Sequence, residues 1–411
     1  MPLTPTLYLS RTGILEPLGQ SQVLAYLCGL SKEYAVTLIS FERAADLEDT
    51  EQLARIEAQC AQHGIKWVRL RYRRRPKILA AAFNLMLLVF NAWREARASK
   101  ARLIHARSYI PAAAAWAVSR TTGIPYIFDM RSLWAEELIT SRRMRRGSLL
   151  HKLIFKAEGR LLRDAAKVVS LTHVAASYLE QAHPGCLSPD RLCVIPTCTD
   201  LNRFRPLPNG RTGSIVVGCH GSLLNGWFRI DLLAAMFDLL AQRLPDVRFE
   251  ILTRDDPAQI RAALAAALQT KSQAMPDWYT SLTIEPARAS EIHTRLQMQD
   301  LSVFFYASGE TSELGRSPTR MGEVLGCGVP VVTNRGIGDV ATTLQHGDVG
   351  VILEGEDAAS LARAADQAVT LMRDPVVTAR CREVAQQTYS LDSGIQSYLH
   401  AYHDIVKQQA H

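Results

Sequence analysis

Short apolar runs recur along the chain, and most are followed by a longer segment whose apolar positions lie three or four apart. The first run, Leu7–Ser10, predicts a strand; residues 13–19 form a glycine-bearing loop, and Ser21–Leu30 a helix. Further strands are expected at Val36–Phe41, Ile65–Leu70, Leu103–Ala106, Tyr126–Asp129, Val168–Leu171 and Leu192–Ile195. The pattern then restarts. Ser214–Cys219 reads as a new first strand, followed by the loop His220–Gly226 and a helix over Ile230–Leu244. Strands at Val247–Leu252, Leu282–Ile284, Leu301–Tyr306 and Val329–Thr333 complete the second series, and Gln386–Ile405 reads as a terminal helical segment.

Strands that alternate with helices build parallel, doubly wound sheets. The expected fold class is therefore α/β, with two Rossmann-like domains over residues 1–200 and 207–385 facing a central cleft. Residues 386–411 are expected to cross back to the first domain. Pro196, Pro206 and Pro208, with Asn202 and Asn209, mark the hinge. Ligands of open α/β sheets sit beyond the carboxyl ends of the strands, so the cleft is the expected place for chemistry.

The stretch Ser317–Pro330 narrows that chemistry. Ser317 is a suitable N-cap and Pro318 a suitable first helical residue, while Gly326 and Gly328 stop the helix before the next strand. A helix N-terminus emerging from a loop attracts anions, and Thr319 and Arg320 add a hydroxyl and a permanent charge. Glu323 follows Thr319 by four positions, so a carboxylate lies about one turn beyond the expected phosphate, within reach of sugar hydroxyls. Together they describe a pocket for a nucleoside diphosphate joined to a sugar. An ordinary capped helix of an α/β domain is the alternative.

Composition adds limits. A length of 411 residues suits about two domains, and 47% hydrophobic with 21% charged residues is ordinary for a globular chain. The eight cysteines (28, 60, 186, 193, 198, 219, 327, 381) show no metal-ligand spacing and read as reduced, which points to the cytoplasm. No secretory leader is expected, because Met1–Ser10 runs straight into the first strand. Charge is uneven: residues 1–190 hold 27 Lys+Arg against 16 Asp+Glu, +11, and the remainder carries −4. Two clusters dominate, Arg69, Arg71, Arg73, Arg74, Arg75 and Lys77, and then Arg142, Arg143, Arg145 and Arg146. Ile78–Trp93 follows the first cluster, apolar except for Asn84 and Asn91 and short for a membrane span. It reads either as a buried crossover helix or as a face resting on anionic lipid at the inner side of a membrane. Nucleic acid is not expected, since no aromatics interleave with the charges.

These residues resemble the family 4 retaining glycosyltransferases of the GT-B fold over nearly the whole chain. Val194-Ile195-Pro196-Thr197-Cys198-Thr199-Asp200 with Arg203-Phe204-Arg205-Pro206 is similar to the family's interdomain signature. Gly13–Ala25, containing Pro17-Leu18-Gly19-Gln20-Ser21-Gln22, resembles the first loop of a bacterial branch, and Leu301–Asp339 resembles the donor-binding region. The resemblance implies a UDP- or GDP-sugar donor held by the second domain, an acceptor held by the first, retention of anomeric configuration, and no cofactor or metal. A glycan or lipid-linked precursor of cell-envelope or exopolysaccharide synthesis is the implied acceptor.

Several positions depart from the family pattern. Of two glutamates separated by seven residues, Glu323 fits the second and Gly315 stands at the first, with Glu310 or Glu313 as substitutes. The usual Gly-Arg-Leu and Lys-Gly become Gly221-Ser222-Leu223 and Trp227, leaving Arg229, Arg254 and Arg320 as replacement cations. Asp129 stands where many members carry a histidine near the reacting sugar. Asp129 orients or deprotonates the acceptor hydroxyl in this reading, and Arg131 holds an acceptor phosphate or carboxylate; a buried ion pair is the alternative.

The full expected set is Asp129, Arg131 and Arg320 as catalytic residues, with Gly19, Gln20, Ser222, Arg229, Arg254, Ser317, Pro318, Thr319, Arg320 and Glu323 on the donor. His105, Arg107, Trp134 and Glu136 are expected on the acceptor side, His105 reading equally as a satisfied strand-end histidine. Leaving-group charge would be met by the N–H groups of Ser317–Arg320, the Arg320 side chain and the loop Gly221–Asn225, with Gly13 and Gly19 allowing close backbone approach. Same-face attack, with the leaving phosphate taking the acceptor's proton, requires no carboxylate nucleophile. An epimerase of the same fold and a nonenzymatic nucleotide-sugar binder are the competing readings.

Overall fold

A computed structural model describes residues 3–269, 275–286, 288 and 291–409, with the side chains of Lys77 and Ile78 also outside the described residues. Met1 and Pro2, part of the expected first segment, are likewise outside it. The chain divides into two compact units: Met1–Pro196 with Leu314–Arg316 and Leu391–His411, and Thr197–Glu313 with Ser317–Ser390.

The first unit is built on seven parallel strands: β1 (Thr4–Ser10), β2 (Tyr34–Glu42), β3 (Lys66–Arg71), β4 (Leu103–Arg107), β5 (Tyr126–Asp129), β6 (Lys167–Ser170) and β7 (Leu192–Val194). Their order is β3-β2-β1-β4-β5-β6-β7, so the direction of winding reverses between β1 and β4. Every residue of β4 and β5 is buried, as expected for strands covered on both faces, and they enclose His105, Arg107 and Asp129 among their apolar residues. Leu7, Leu9, Ile104, Ala106 and Phe128 from the sheet join Leu88, Ala112 and Ala115 from covering helices in one core.

The second unit repeats the scheme with six strands: β8 (Val216–His220), β9 (Arg248–Leu252), β10 (Thr283–Glu285), β11 (Leu301–Phe304), β12 (Val331–Asn334) and β13 (Gly350–Leu353). The order β10-β9-β8-β11-β12-β13 puts its reversal between β8 and β11. Val217, Cys219, Phe249, Ile251, Val303 and Val332 carry the sheet's part of the core. Both units are α/β with parallel doubly wound sheets, and the fold is that of the GT-B class.

Four local expectations change. Pro17–Gly19 is already helical and runs through a π turn at Gln20–Leu24 into Ala25–Leu30, so the loop after β1 ends before Pro17. β13 was not anticipated. Residues 197–206 pack with the second unit rather than the first, because Leu201 and Phe204 enter its core and their carbonyls accept from Arg382 at 2.8 and 2.6 Å. The terminal helical segment is two helices, Val377–Thr388 and Leu391–Gln408, separated where Tyr389 O accepts from Thr199 N at 2.8 Å and Ser390 bridges Thr199. Only the second of these helices belongs to the first unit.

Candidate active site

In the second unit the reversal point gathers the chemistry. His220 ends β8, and Gly221 follows with φ +101°, a conformation that glycine adopts without strain. A Cβ at Gly221 would lie 2.4 Å from the Arg320 guanidinium, so the absent side chain is what lets Arg320 lie across the strand end. The same guanidinium sits over the rings of Phe304, Tyr306 and Phe228, at 5.2, 5.6 and 6.0 Å from their centroids. Aromatic faces hold the cation without consuming its N–H donors. Its Nη1 is buried and has no hydrogen-bond partner among the described residues. A cation fixed in this way is ready for an oxyanion.

Arg320 is the second residue of the helix Thr319–Gly326, whose first turn also carries backbone N–H groups without intrahelical acceptors. The expected cap is corrected here. Pro318 occupies the N-cap position, and the Ser317 hydroxyl instead accepts from Thr197 N at 3.0 Å. One turn on, Glu323 accepts from His220 Nε2 at 3.0 Å, with 24% of its side chain exposed. His220 itself is buried, and burial holds its pKa below the usual histidine value. The neutral imidazole therefore carries its proton on Nε2, toward Glu323, while the buried Nδ1 has no partner among the described residues.

Other expected donor residues are engaged elsewhere. The Ser222 hydroxyl donates to Asp255 at 3.0 Å, and the N–H groups of Leu223 and Leu224 donate to the same carboxylate at 2.6 and 3.0 Å. That part of the expected leaving-group cradle is already satisfied. Arg229 spends both edges of its guanidinium on Asp231 and Glu356, at 2.7 to 2.9 Å. Arg254 is exposed just beyond β9 and forms no ion pair among the described residues. Of the three replacement cations, Arg320 is the one at the reversal point. Glu310 is exposed and Glu313 buried, with Ser312 donating to it at 3.2 Å. A Cβ at Gly315 would lie 2.9 Å from the Leu133 backbone nitrogen, so a glutamate does not fit at that position.

In the first unit, β4 and β5 bring His105, Arg107 and Asp129 side by side, with Arg107 directly opposite Asp129 in register. Asp129 is fully buried and meets His105 Nε2 at 3.3 Å, Arg131 Nη1 at 3.4 Å and Arg107 Nη1 at 3.6 Å. Burial opposes its ionisation, but Arg131, His105 and Arg107 outweigh it and hold the carboxyl well below the usual range. The expected role of proton acceptor changes accordingly: so stabilised an anion is a poor base, and Asp129 serves as the counter-ion that fixes two arginines. The cluster nonetheless keeps one surplus positive charge, and Arg131 Nε is buried without a partner among the described residues.

Two residues the sequence reading missed close this network. Tyr402 OH pairs with His105 Nδ1 at 2.8 Å, and Tyr398 OH accepts from Arg131 at 3.4 Å. Their four-residue spacing on one helix was the available signal. Glu136 is buried and committed to Arg146 and to Tyr178 at 2.8 Å, and Trp134 lies against Tyr109 at 5.4 Å between centroids. Neither joins the Asp129 cluster.

The loop after β1 is also held from within. A Cβ at Gly19 would fall 1.9 Å from Gly13 O, and one at Gly13 would fall 2.3 Å from Glu42. The two glycines are required by each other and by Glu42, which accepts from Ile14 N and Leu15 N at 3.0 and 3.2 Å. Gln20 donates its side-chain amide to Leu15 O at 3.1 Å, tying down the same turn.

The buried imidazoles predict a pH response. Burial lowers the pKa of His105 and of His220, whereas in the unfolded chain both titrate near about 6.5. Below that value the unfolded chain binds protons that the folded chain refuses, so stability present above it is lost on acidification. The melting temperature should be level above about pH 7 and fall between about pH 6.5 and 5, with His220→Gln removing part of the fall. A differential scanning fluorimetry series that stays flat to about pH 5 contradicts this.

Comparison with known proteins agrees with this geometry. Residues 19–203 match the model of Glycosyltransferase Family 4, and residues 214–370 match that of Glycosyl transferases group 1. A glycosyltransferase model thus matches each half of the chain. No curated protein matches its sequence. Among solved structures, the chain resembles a glycosyltransferase from Rickettsia africae with a TM-score of 0.70 at 12% identity, covering 99% of this chain and 100% of that one. A sucrose-phosphate synthase from Thermosynechococcus elongatus aligns with a TM-score of 0.69 at 14% identity over 98% and 100% of the two chains. HepE of Anabaena, solved with UDP and glucose, aligns with a TM-score of 0.64 at 17% identity over 97% and 98%. At these identities the likeness is one of fold.

Proposed function

We propose that this glycosyltransferase moves a sugar, with retention of anomeric configuration, from a UDP- or GDP-sugar to a hydroxyl of a glycan or lipid-linked precursor of envelope or exopolysaccharide synthesis. The observation that carries the reading is Arg320: a cation with a buried, unpartnered Nη1, one helical turn from a carboxylate held by a buried histidine. The UDP-glucose complex of Anabaena HepE favours the same donor class.

Breaking the bond between the anomeric carbon and the diphosphate leaves negative charge on the leaving oxygen. Arg320 and the first-turn N–H groups of Thr319 and Arg320 neutralise it, and Arg suits a phosphate because its planar fork binds in a bidentate manner. Glu323, oriented by His220 Nε2–H, accepts from the ribose hydroxyls of the donor. The acceptor's proton passes to the leaving phosphate on the same face, a route that needs no carboxylate at position 315 and no metal. Arg131, with its unpartnered Nε, binds an anionic group of the acceptor. The protein works in the cytoplasm on this reading, at the inner face of the membrane where lipid-linked acceptors are presented.

Thermal-shift screening with UDP-, GDP- and TDP-sugars identifies the donor, and NMR of the product then reads the anomeric configuration. An inverted product rejects retention. Turnover of the nucleotide sugar to its epimer without acceptor favours the epimerase instead, and binding without turnover the nonenzymatic binder. Full activity in EDTA is expected.

A further inference from the structure

The helix Lys77–Ala98 has two apolar faces where a globular protein needs one. Ala80, Leu88, Ala92 and Ala96 are buried in the first unit's core or against it. On the opposite side Leu79, Met86 and Phe90 are 69%, 64% and 58% exposed, with Phe83 and Trp93 exposed beside them. Their spacing of four, three, four and three residues makes one stripe of roughly 21 Å at the rise of an α-helix. Among the described residues no helix is long and apolar enough to cross a membrane, so the stripe is not part of a span.

Cations sit at both ends of it. Arg73 lies over the Phe83 ring at 4.3 Å and Arg97 over the Trp93 ring at 4.8 Å. Arg74 and Arg75 extend the first end and Lys100 the second, and none of these five forms an ion pair among the described residues. Beside the stripe, Met86, Val89, Phe90 and Trp93 face Val118 and Thr121 of the helix Tyr109–Thr122 across a groove of about 540 Å³. A second hollow of about 440 Å³ shares Thr121 and is lined by Arg97, Lys100 and Thr122. The groove is thus apolar along its length and basic at its end.

We propose that this face docks on an anionic lipid bilayer, with an acyl chain in the groove and the lipid phosphate on Arg97 and Lys100. Charge decides the occupant. A second copy of the chain would bring arginines against arginines whether the helices ran parallel or antiparallel, since both ends of the stripe are basic. Anionic headgroups complement both ends at once while the acyl region receives Leu79, Met86 and Phe90. The surface stands whether or not the acceptor proves to be lipid-linked.

Flotation of the full chain with vesicles of phosphatidylcholine alone, and with about 30 mol% phosphatidylglycerol, tests it. The protein should float only with the anionic vesicles, and salt should weaken the binding. Met86→Ser with Phe90→Ser should lower partitioning about tenfold or more, and Arg97→Gln and Lys100→Gln about fivefold each. All four side chains are exposed, so melting temperatures should be unchanged and donor binding retained. Absence of binding, or equal binding to neutral vesicles, overturns the proposal. So does a dimer in analytical ultracentrifugation that Phe90→Ser dissolves, because the stripe would then be an interface between copies.

Discussion

Replacing Arg320 with alanine should lower kcat/KM by roughly a hundred- to a thousandfold, the loss measured when one preorganised donor to a developing oxyanion is removed. The guanidinium is held by contacts that make it available: three aromatic faces support its plane, and Gly221 leaves the space it fills. Arg320→Lys should recover only part of the activity, since an ammonium keeps the charge but neither stacks as a plane nor forks onto two phosphate oxygens. Steady-state kinetics with the donor identified by binding supply the measurement, and an unchanged melting temperature excludes misfolding. An alanine variant within threefold of the parent would mean that the leaving group is neutralised elsewhere, and Arg254 would be the next cation to test.

Asp129→Asn should act on stability more than on binding. The change keeps shape but removes the negative charge that Arg107, Arg131 and His105 share in a fully buried site. Deleting one partner of a buried ion pair costs about 3 to 5 kcal/mol, because the remaining charge stays desolvated and uncompensated. For a unit of this size that corresponds to a drop of roughly 6 to 20 °C in melting temperature. Calorimetry decides the matter. A variant that melts with the parent yet has lost activity would return Asp129 to a catalytic role.

Both sheets were legible in the sequence because strands buried on two faces are mostly apolar, as in β5 and β11, where Asp129 and Ser302 are the exceptions. β13 was missed although Val351, Ile352 and Leu353 form an apolar run of the same kind. The break at Tyr389 and Ser390 has no glycine or proline to announce it; it arises from pairing with Thr199, nearly two hundred positions earlier. At the candidate site, the placing of Arg320 and Glu323 one turn apart followed from helix geometry. What a local reading did not provide is the partner of each group. Ser317 looked like a cap but serves Thr197, Ser222 looked like a ligand but serves Asp255, and Asp129 is governed by a cluster closed by Tyr398 and Tyr402.

Those two tyrosines lie on Leu391–Gln408, which belongs to the unit that begins the chain. During synthesis, this unit's sheet must therefore wait, with His105 and Arg131 missing their hydroxyl partners, until Tyr398 and Tyr402 have left the ribosome. Maturation of this unit is tied to completion of Leu391–Gln408, and a ribosome stalled shortly before residue 398 would leave a product in which it is never finished.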